Sequence, residues 1–215
     1  MRGEAAERLA RADGGGTAQS SGGTIPPAWL ELADGRSSAG EGHGYRVARI
    51  AAALAAALPE EADGMDPTER GALDLAARAH ELGRLLGPAP SPTELATRTA
   101  QLLYDLGVES RVLRVINNLR ERWNGSGGPN GIRGADIPTA SRLLAAADAL
   151  DHAAVVHLES GMEPGAAMAA ALEDARDTAQ AHYGPGVAAA LETAAGVVEA
   201  IWVLARGLPG SRAVA

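Results

Sequence analysis

The chain has 215 residues, a formal net charge of −8 at neutral pH and no cysteine. The acidic balance argues against a nucleic-acid polymer as partner, because such surfaces need clustered positive charge. The absence of cysteine excludes disulfides, thiolate metal sites and a cysteine nucleophile. We expect no apolar run that approaches the roughly 18 residues of a membrane span, and we expect no secretory signal. The chain is therefore expected to be cytoplasmic, without membrane contact.

The two ends of the chain differ in composition from its middle. Residues 1–25 are rich in glycine and serine, which predicts a flexible N-terminal tail. A helical domain is predicted over residues 26–207, followed by a short tail over residues 208–215. The domain is predicted to begin with a short helix over residues 26–33 and a longer one over residues 43–58.

Two helix starts share one device. DPTE at residues 66–69 and SPTE at residues 91–94 each combine an N-cap residue, a proline and an acid three positions later. They predict helices that run to about Leu86 and Leu106.

The rest of the chain also has helical spacing. A helix is predicted over residues 108–123, ending in the loop ERWNGSGGPNG, and three more begin near residues 138, 162 and 185. No run alternates with the period of a strand, so the sequence predicts an all-α domain of about seven helices.

Polar residues interrupt apolar stretches at two places. His80 and Glu81 stand side by side in AHELGR, and Asp148 interrupts RLLAAADAL. A buried charge is costly unless it is paired or bound to a metal, and histidine with carboxylate suits Mn, Fe, Ni or Zn. A lone histidine is more often structural, so each signal is weak by itself.

Taken in order, these residues resemble a known pattern. His43, His80-Glu81 and Asp148 are similar to the H…HD…D arrangement of the HD metal-dependent phosphohydrolase superfamily. ERWNGSGGPNGIRGADIPTASRLLAAADALDHA, residues 121–153, resembles the HD-GYP signature, in which a stretch like HHERWDGSGYP precedes I-P and an arginine-led helix with A-D-x-x-D. HGYRVARIAAALAAAL at His43 and LAARAHELGRL at Leu75 are similar to the family's helices that carry the first ligands, and the resemblance covers about residues 29–205.

The resemblance implies an all-α domain that binds two or three metals in a groove and hydrolyses cyclic di-GMP. The four positions of a single-metal site hold residues that can act as ligands: His43, His80, Glu81 and Asp148. Glu81 replaces the family's aspartate, and Arg84 replaces its lysine; arginine is a poor general acid. We therefore treat Glu81 and Arg84 as vestigial catalytic residues.

Several positions depart from the family pattern. The paired histidines before E-R-W fall on Leu119 and Arg120, and the further histidine expected near Leu95 is missing. Ala39 stands where one subgroup has an acidic ligand, and Gly128 stands at the tyrosine of GYP. The residues predicted to bind a ligand by arginine contacts or exposed loop backbone are Arg84, Arg120, Gly125, Gly127, Gly128, Pro129 and Arg142.

Two functions follow as hypotheses. The first is a degenerate HD-GYP domain without cyclic di-GMP phosphodiesterase activity, which binds cyclic di-GMP, another nucleotide or a protein partner in signalling. The alternative is a one-metal HD phosphohydrolase, or a residual cyclic di-GMP phosphodiesterase, using the four candidate ligands. The cofactor is accordingly none or one divalent metal (Mn, Fe, Ni or Zn).

Two further points stay open. His152 is either a replacement ligand or a partly exposed surface histidine. The apolar C-terminal helix is a candidate homodimer face, although burial in its own core is the simpler interpretation.

Overall fold

The computed structural model of the protein describes residues 23–59, 65–89 and 91–207. Over these residues the fold is all-α, as predicted, with no strand. Most of the two predicted tails, residues 1–22 and 208–215, lies outside the described residues. The α-helices are α1 Pro27–Asp34, α2 His43–Ala56, α3 Pro67–Ala79, α4 Pro92–Asp105, α5 Ser110–Asn117, α6 Thr139–Glu159, α7 Pro164–Tyr183 and α8 Pro185–Gly207.

The two predicted capping devices start α3 and α4. The Asp66 carboxylate accepts a hydrogen bond from the Glu69 backbone N–H at 2.8 Å, and Glu69 accepts one in return from the Asp66 backbone at 3.0 Å. At the start of α4, Ser91 Oγ accepts from the Glu94 backbone N–H at 3.1 Å. Each device satisfies backbone donors that a helix start would otherwise leave unpaired.

The helix predicted to reach Leu86 stops earlier, at Ala79, and a 3₁₀ turn follows over Leu82–Leu86. The buried Thr99 causes the change of direction: its hydroxyl donates to the His80 carbonyl at 2.9 Å and accepts from the Gly83 backbone N–H at 2.9 Å. His80 and Glu81 therefore lie at a bend between two helical segments.

The helix predicted over residues 108–123 also ends early, at Asn117. Beyond it the backbone is bound to another helix: Trp123 N–H donates to the His182 carbonyl at 2.8 Å, and Asn124 N–H donates to the Ala181 carbonyl at 3.0 Å. These bonds to the end of α7 replace the ones that a continued helix would make.

Helix α6 lies at the centre, packed against α2 and α7, and α2 also contacts α3 and α8. The last helix corrects one expectation, because Pro185–Arg206 is long and apolar enough to cross a membrane by length and composition, with a mean hydropathy of 1.7. Core helices pass the same test, and Val187, Val198 and Trp202 are fully buried in this domain. Because 33% of the apolar window is buried while Val197 and Leu204 are more than half exposed, α8 packs into the domain along one face.

Candidate functional site

Three predicted ligands meet where α2, the end of α3 and α6 converge. His43 Nε2 and His80 Nε2 are 3.1 Å apart, and each is 3.3 Å from Asp148 Oδ1. All three side chains are buried, with no more than 3% of each residue exposed. Two ring nitrogens and a carboxylate oxygen thus point at one small volume.

Hydrogen bonds on the far side of each ring fix which nitrogen faces that volume. His80 Nδ1 lies 2.7 Å from the Ala77 carbonyl, which requires the proton on Nδ1. His43 Nδ1 lies 2.7 Å from Asp151 Oδ2. In the neutral form each imidazole therefore offers the lone pair of Nε2, the orientation found in metal-binding histidines.

Asp151 is a buried junction behind His43. Its carboxylate also accepts two bonds from Arg46, at 2.7 and 2.9 Å, and one from the Trp202 indole at 2.6 Å. The Arg46 guanidinium in turn donates to the Ala39 and Glu41 carbonyls. The negative charge of Asp151 is therefore neutralised and oriented without contact with solvent.

The carboxylates favour positive charge at His43. Burial lowers the pKa of His43, but hydrogen bonds to Asp148 and Asp151 and their charges outweigh burial and raise it to about 10. Burial also opposes ionisation of Asp148, yet the His80 charge and the hydrogen bond from His152 hold its pKa well below the usual range. In chemical terms, the cluster attracts a cation.

Glu81 lies at the edge of the cluster. One carboxylate oxygen accepts from Arg84 at 2.5 Å, whereas Oε2 is buried and has no partner. Burial raises the pKa of Glu81, but the hydrogen bond from Arg84 and the charges of the nearby histidines lower it by more. The pKa of Glu81 therefore lies below its usual value. Glu81, His43 and His80 each offer a ligand atom within 4.8 Å of the others. The orphaned oxygen and the facing nitrogens of this group are ligand types that fit a divalent metal, and Asp148 belongs to a second candidate group, with His43 and His152.

His152 joins the site from one turn along α6. Its Nδ1 is 3.1 Å from Asp148 Oδ1, and its ring makes an edge contact with His43 at 4.7 Å between centroids. Hydrogen bonding to Asp148 raises the pKa of His152, with burial opposing that effect. His152 is partly exposed, as expected if it is a surface histidine. It also forms a candidate ligand group with His43 and Asp148, as expected if it is a replacement ligand.

Two arginines flank the cluster and face a groove of about 490 Å³. Arg84 binds Glu81, and Arg120 Nη1 donates to Asp148 Oδ2 at 2.9 Å. The Nε atom of each guanidinium is buried without a partner. The groove is lined by Ser38, Glu81, Arg84, Ala89, Ser91, Pro92, Leu95, Arg120, Asp148, Ala149 and His152.

The other predicted ligand-binding residues do not line this groove. Gly125, Gly127, Gly128 and Pro129 lie in the loop after Arg120. The loop closes on itself, with Glu121 Oε1 accepting from the Asn130 backbone N–H at 2.7 Å. A Cβ on Gly127 would lie 2.4 Å from the Arg120 carbonyl oxygen, whereas one on Gly128 would meet no atom within 4 Å.

Arg142 is 8% exposed and lies beside the same loop. Its guanidinium donates to the Tyr183 carbonyl at 3.1 Å and stacks over the Trp123 ring at 4.8 Å. These contacts hold the loop to the end of α7.

The sequence prediction missed three residues that support the site: Arg46, Asp151 and Trp202. Two had a signal, because Arg46 belongs to the H-x-x-R segment and Asp151 is the second acid of the A-D-x-x-D segment. Nothing local in the sequence connects Trp202 with His43.

Comparison with known proteins identifies the family. A family model described as HD domain matches residues 33–187. Among solved structures, the fold is similar to that of Bd1817, described as an HDG"Y"P protein from Bdellovibrio bacteriovorus, with a TM-score of 0.51 and 20% identity. That similarity covers 71% of this chain and 51% of that chain, so this chain spans about half the length of the Bd1817 chain. No curated protein matches the chain.

Proposed function

The chain belongs to the HD-domain family, and on that basis we propose that it is a cytoplasmic binding domain for a phosphate-bearing nucleotide. The resemblance of residues 121–153 to the HD-GYP signature makes cyclic di-GMP or a related nucleotide the proposed ligand. In this proposal the domain binds such a ligand and does not hydrolyse cyclic di-GMP by two-metal chemistry.

The observation that carries the proposal is the pair of arginines in the groove. Arg84 and Arg120 both line the groove, with 27% and 25% of their side chains exposed, and each guanidinium pairs with a carboxylate that also lines it. Phosphate oxygens are the acceptors that guanidinium groups bind best, because several N–H donors fit them at once. A volume of about 490 Å³ is adequate for a nucleotide-sized ligand.

The residues at the positions that the resemblance assigns to further metals cannot act as ligands, and this supports the proposal that the domain does not carry out two-metal hydrolysis. Leu119, Leu95 and Ala39 are at most 5% exposed and carry no atom that can bind a metal. Arg120 takes the remaining place and brings a positive charge to it. A second cation there would be repelled by the guanidinium.

Calorimetry with purified protein and cyclic di-GMP tests the binding. We expect binding that weakens at least 10-fold in Arg84→Ala and in Arg120→Ala, because each loses a charge-assisted contact with phosphate. Arg176→Ala is the matched control, since Arg176 is also ion-paired, to Glu173, but its side chain is 58% exposed and does not line the groove. Equal affinity for cyclic di-GMP in all three variants would contradict a role of Arg84 and Arg120 in binding.

A one-metal phosphohydrolase is the second candidate, and the convergence of His43, His80 and Asp148 on one small volume favours it. A divalent metal there would supply Lewis-acid polarisation of a phosphoryl oxygen. The chain's own part is to present two oriented imidazoles and a carboxylate and to bring phosphate close through Arg84 and Arg120. Incubation of cyclic di-GMP and simple phosphate esters with protein and Mn²⁺ separates the candidates, because turnover abolished by His80→Ala supports only the second.

A further inference from the structure

The Asp151 carboxylate joins helices that are far apart in the chain. It is completely buried and receives donors from His43 and Arg46 on α2 and from Trp202 on α8. Both of its oxygens are shared: Oδ1 accepts from Arg46 Nε and the indole, and Oδ2 accepts from His43 and Arg46 Nη2. A carboxylate with this many donors has one orientation.

The indole completes that orientation. Arg46 is fixed by the Ala39 and Glu41 carbonyls and so sets the plane of the guanidinium–carboxylate pair. The Trp202 bond, at 2.6 Å, approaches Oδ1 from the opposite helix and restrains the carboxylate from that side. Because Trp202 is fully buried, this bond is shielded from bulk water.

We propose that Trp202 is a positioning residue for the His43 imidazole, acting through Asp151, and that α8 is therefore part of the metal site. Partners of this kind behind a metal-binding histidine fix the ring and its tautomer, and their removal usually weakens metal binding 10- to 100-fold. The inference rests on a divalent metal at the histidine pair, as in the second candidate function.

The test replaces one indole N–H at a time. Trp202→Phe keeps an aromatic ring in the core and removes the donor to Asp151, while Trp29→Phe makes the same change in another buried tryptophan, on α1. The affinity for Zn²⁺ is measured by competition with a chromophoric chelator. We expect the dissociation constant to rise about 10- to 100-fold in Trp202→Phe and to stay unchanged in Trp29→Phe. Equal constants for wild type and Trp202→Phe overturn the inference and leave the proposed function standing.

Nuclear magnetic resonance of the metal-free protein gives a readout that does not depend on metal. The chain has only three tryptophans, so each indole N–H signal can be assigned with one substitution. We expect the His43 ring signals to move in Trp202→Phe and to keep their positions in Trp29→Phe. If wild type binds no Zn²⁺, the metal site fails by itself, and this comparison alone decides the positioning role.

A wild-type measurement covers the case in which Trp202→Phe does not fold. Coupling is reciprocal, so Zn²⁺ at His43 should slow hydrogen exchange of the Trp202 indole by a larger factor than that of the Trp29 indole, which reports the general stabilisation of the domain. An exchange rate for Trp202 that is the same with saturating Zn²⁺ overturns the inference.

Discussion

The histidine cluster and the glycine loop both carry the family resemblance, yet their polar groups are arranged differently. In the cluster, His43, His80 and Asp148 direct their donor atoms at a common volume that could hold a ligand. In the loop, the bonds close on the protein itself, as between Glu121 and the Asn130 backbone. Similarity to a signature therefore does not have the same consequence at every position.

The difference teaches where binding capacity remains. In the cluster, the two Nε2 atoms face each other and Asp148 Oδ1, and Glu81 Oε2 is buried without a partner, so a bound cation would replace the proton shared among these atoms. In the loop, the backbone N–H groups of Trp123 and Asn124 are bound to α7, and Glu121 Oε2 is buried without a partner. We therefore expect substitutions in the cluster to alter binding and substitutions in the loop to alter stability. Substitution of Asp151 is expected to alter both binding and stability.

The largest effect is expected from breaking the support of the cluster. Asp151→Ala leaves the Arg46 guanidinium, 2% exposed, without its carboxylate. Removing one partner of a buried ion pair costs about 3–5 kcal/mol of the free energy of unfolding, measured by urea denaturation. Asp174→Ala, which removes an exposed partner of His157, is the control and should change it by less than about 0.5 kcal/mol. A small loss for Asp151→Ala would contradict the support role.

An intermediate effect is expected from filling the cluster. Zn²⁺ at 100 times its dissociation constant should raise the free energy of unfolding by about 2.7 kcal/mol, seen as a higher melting temperature. His80→Ala should lose most of this gain, because it removes one of the converging nitrogens. His182→Ala, outside the cluster, should keep it. Wild-type protein that melts at the same temperature with and without Zn²⁺ would count against a metal site.

The smallest effect is expected from the loop, where two adjacent glycines provide a matched pair. Gly127→Ala places a methyl group against the Arg120 and Arg122 backbone and should lower the free energy of unfolding by about 2 kcal/mol. Gly128→Ala meets no atom within 4 Å and should change it by less than about 0.5 kcal/mol. Thermal denaturation of both variants measures the difference, and equal losses would show that the loop does not pack as described.

Much of the fold follows from local patterns in the sequence. The capping residues Asp66 and Ser91 mark helix starts because their hydrogen bonds reach only three residues along the chain. Helix ends were predicted less well, since Thr99 stops α3 through contacts that local spacing does not reveal. The end of α5 at Asn117 likewise depends on the distant α7.

The candidate site divides in the same way. His80 and Asp148 could be found because a polar side chain in an apolar stretch is visible in the sequence, and His43 could be found through the resemblance to the HD pattern. Trp202 could not be found, since a tryptophan in an apolar helix looks like any core residue until its indole is seen on Asp151. His152 lay between these cases, because its distance to Asp148 depends only on helical spacing but its contact with His43 depends on the fold.

The bond between Trp202 and Asp151 also has a consequence for the order in which the molecule is built. During synthesis, α2 and α6 leave the ribosome before α8, so His43 and Asp151 can meet while the indole donor is still unmade. In a nascent chain His43 and His80 are therefore present before Trp202, and the support of His43 through Asp151 is complete only when α8 has packed against α2.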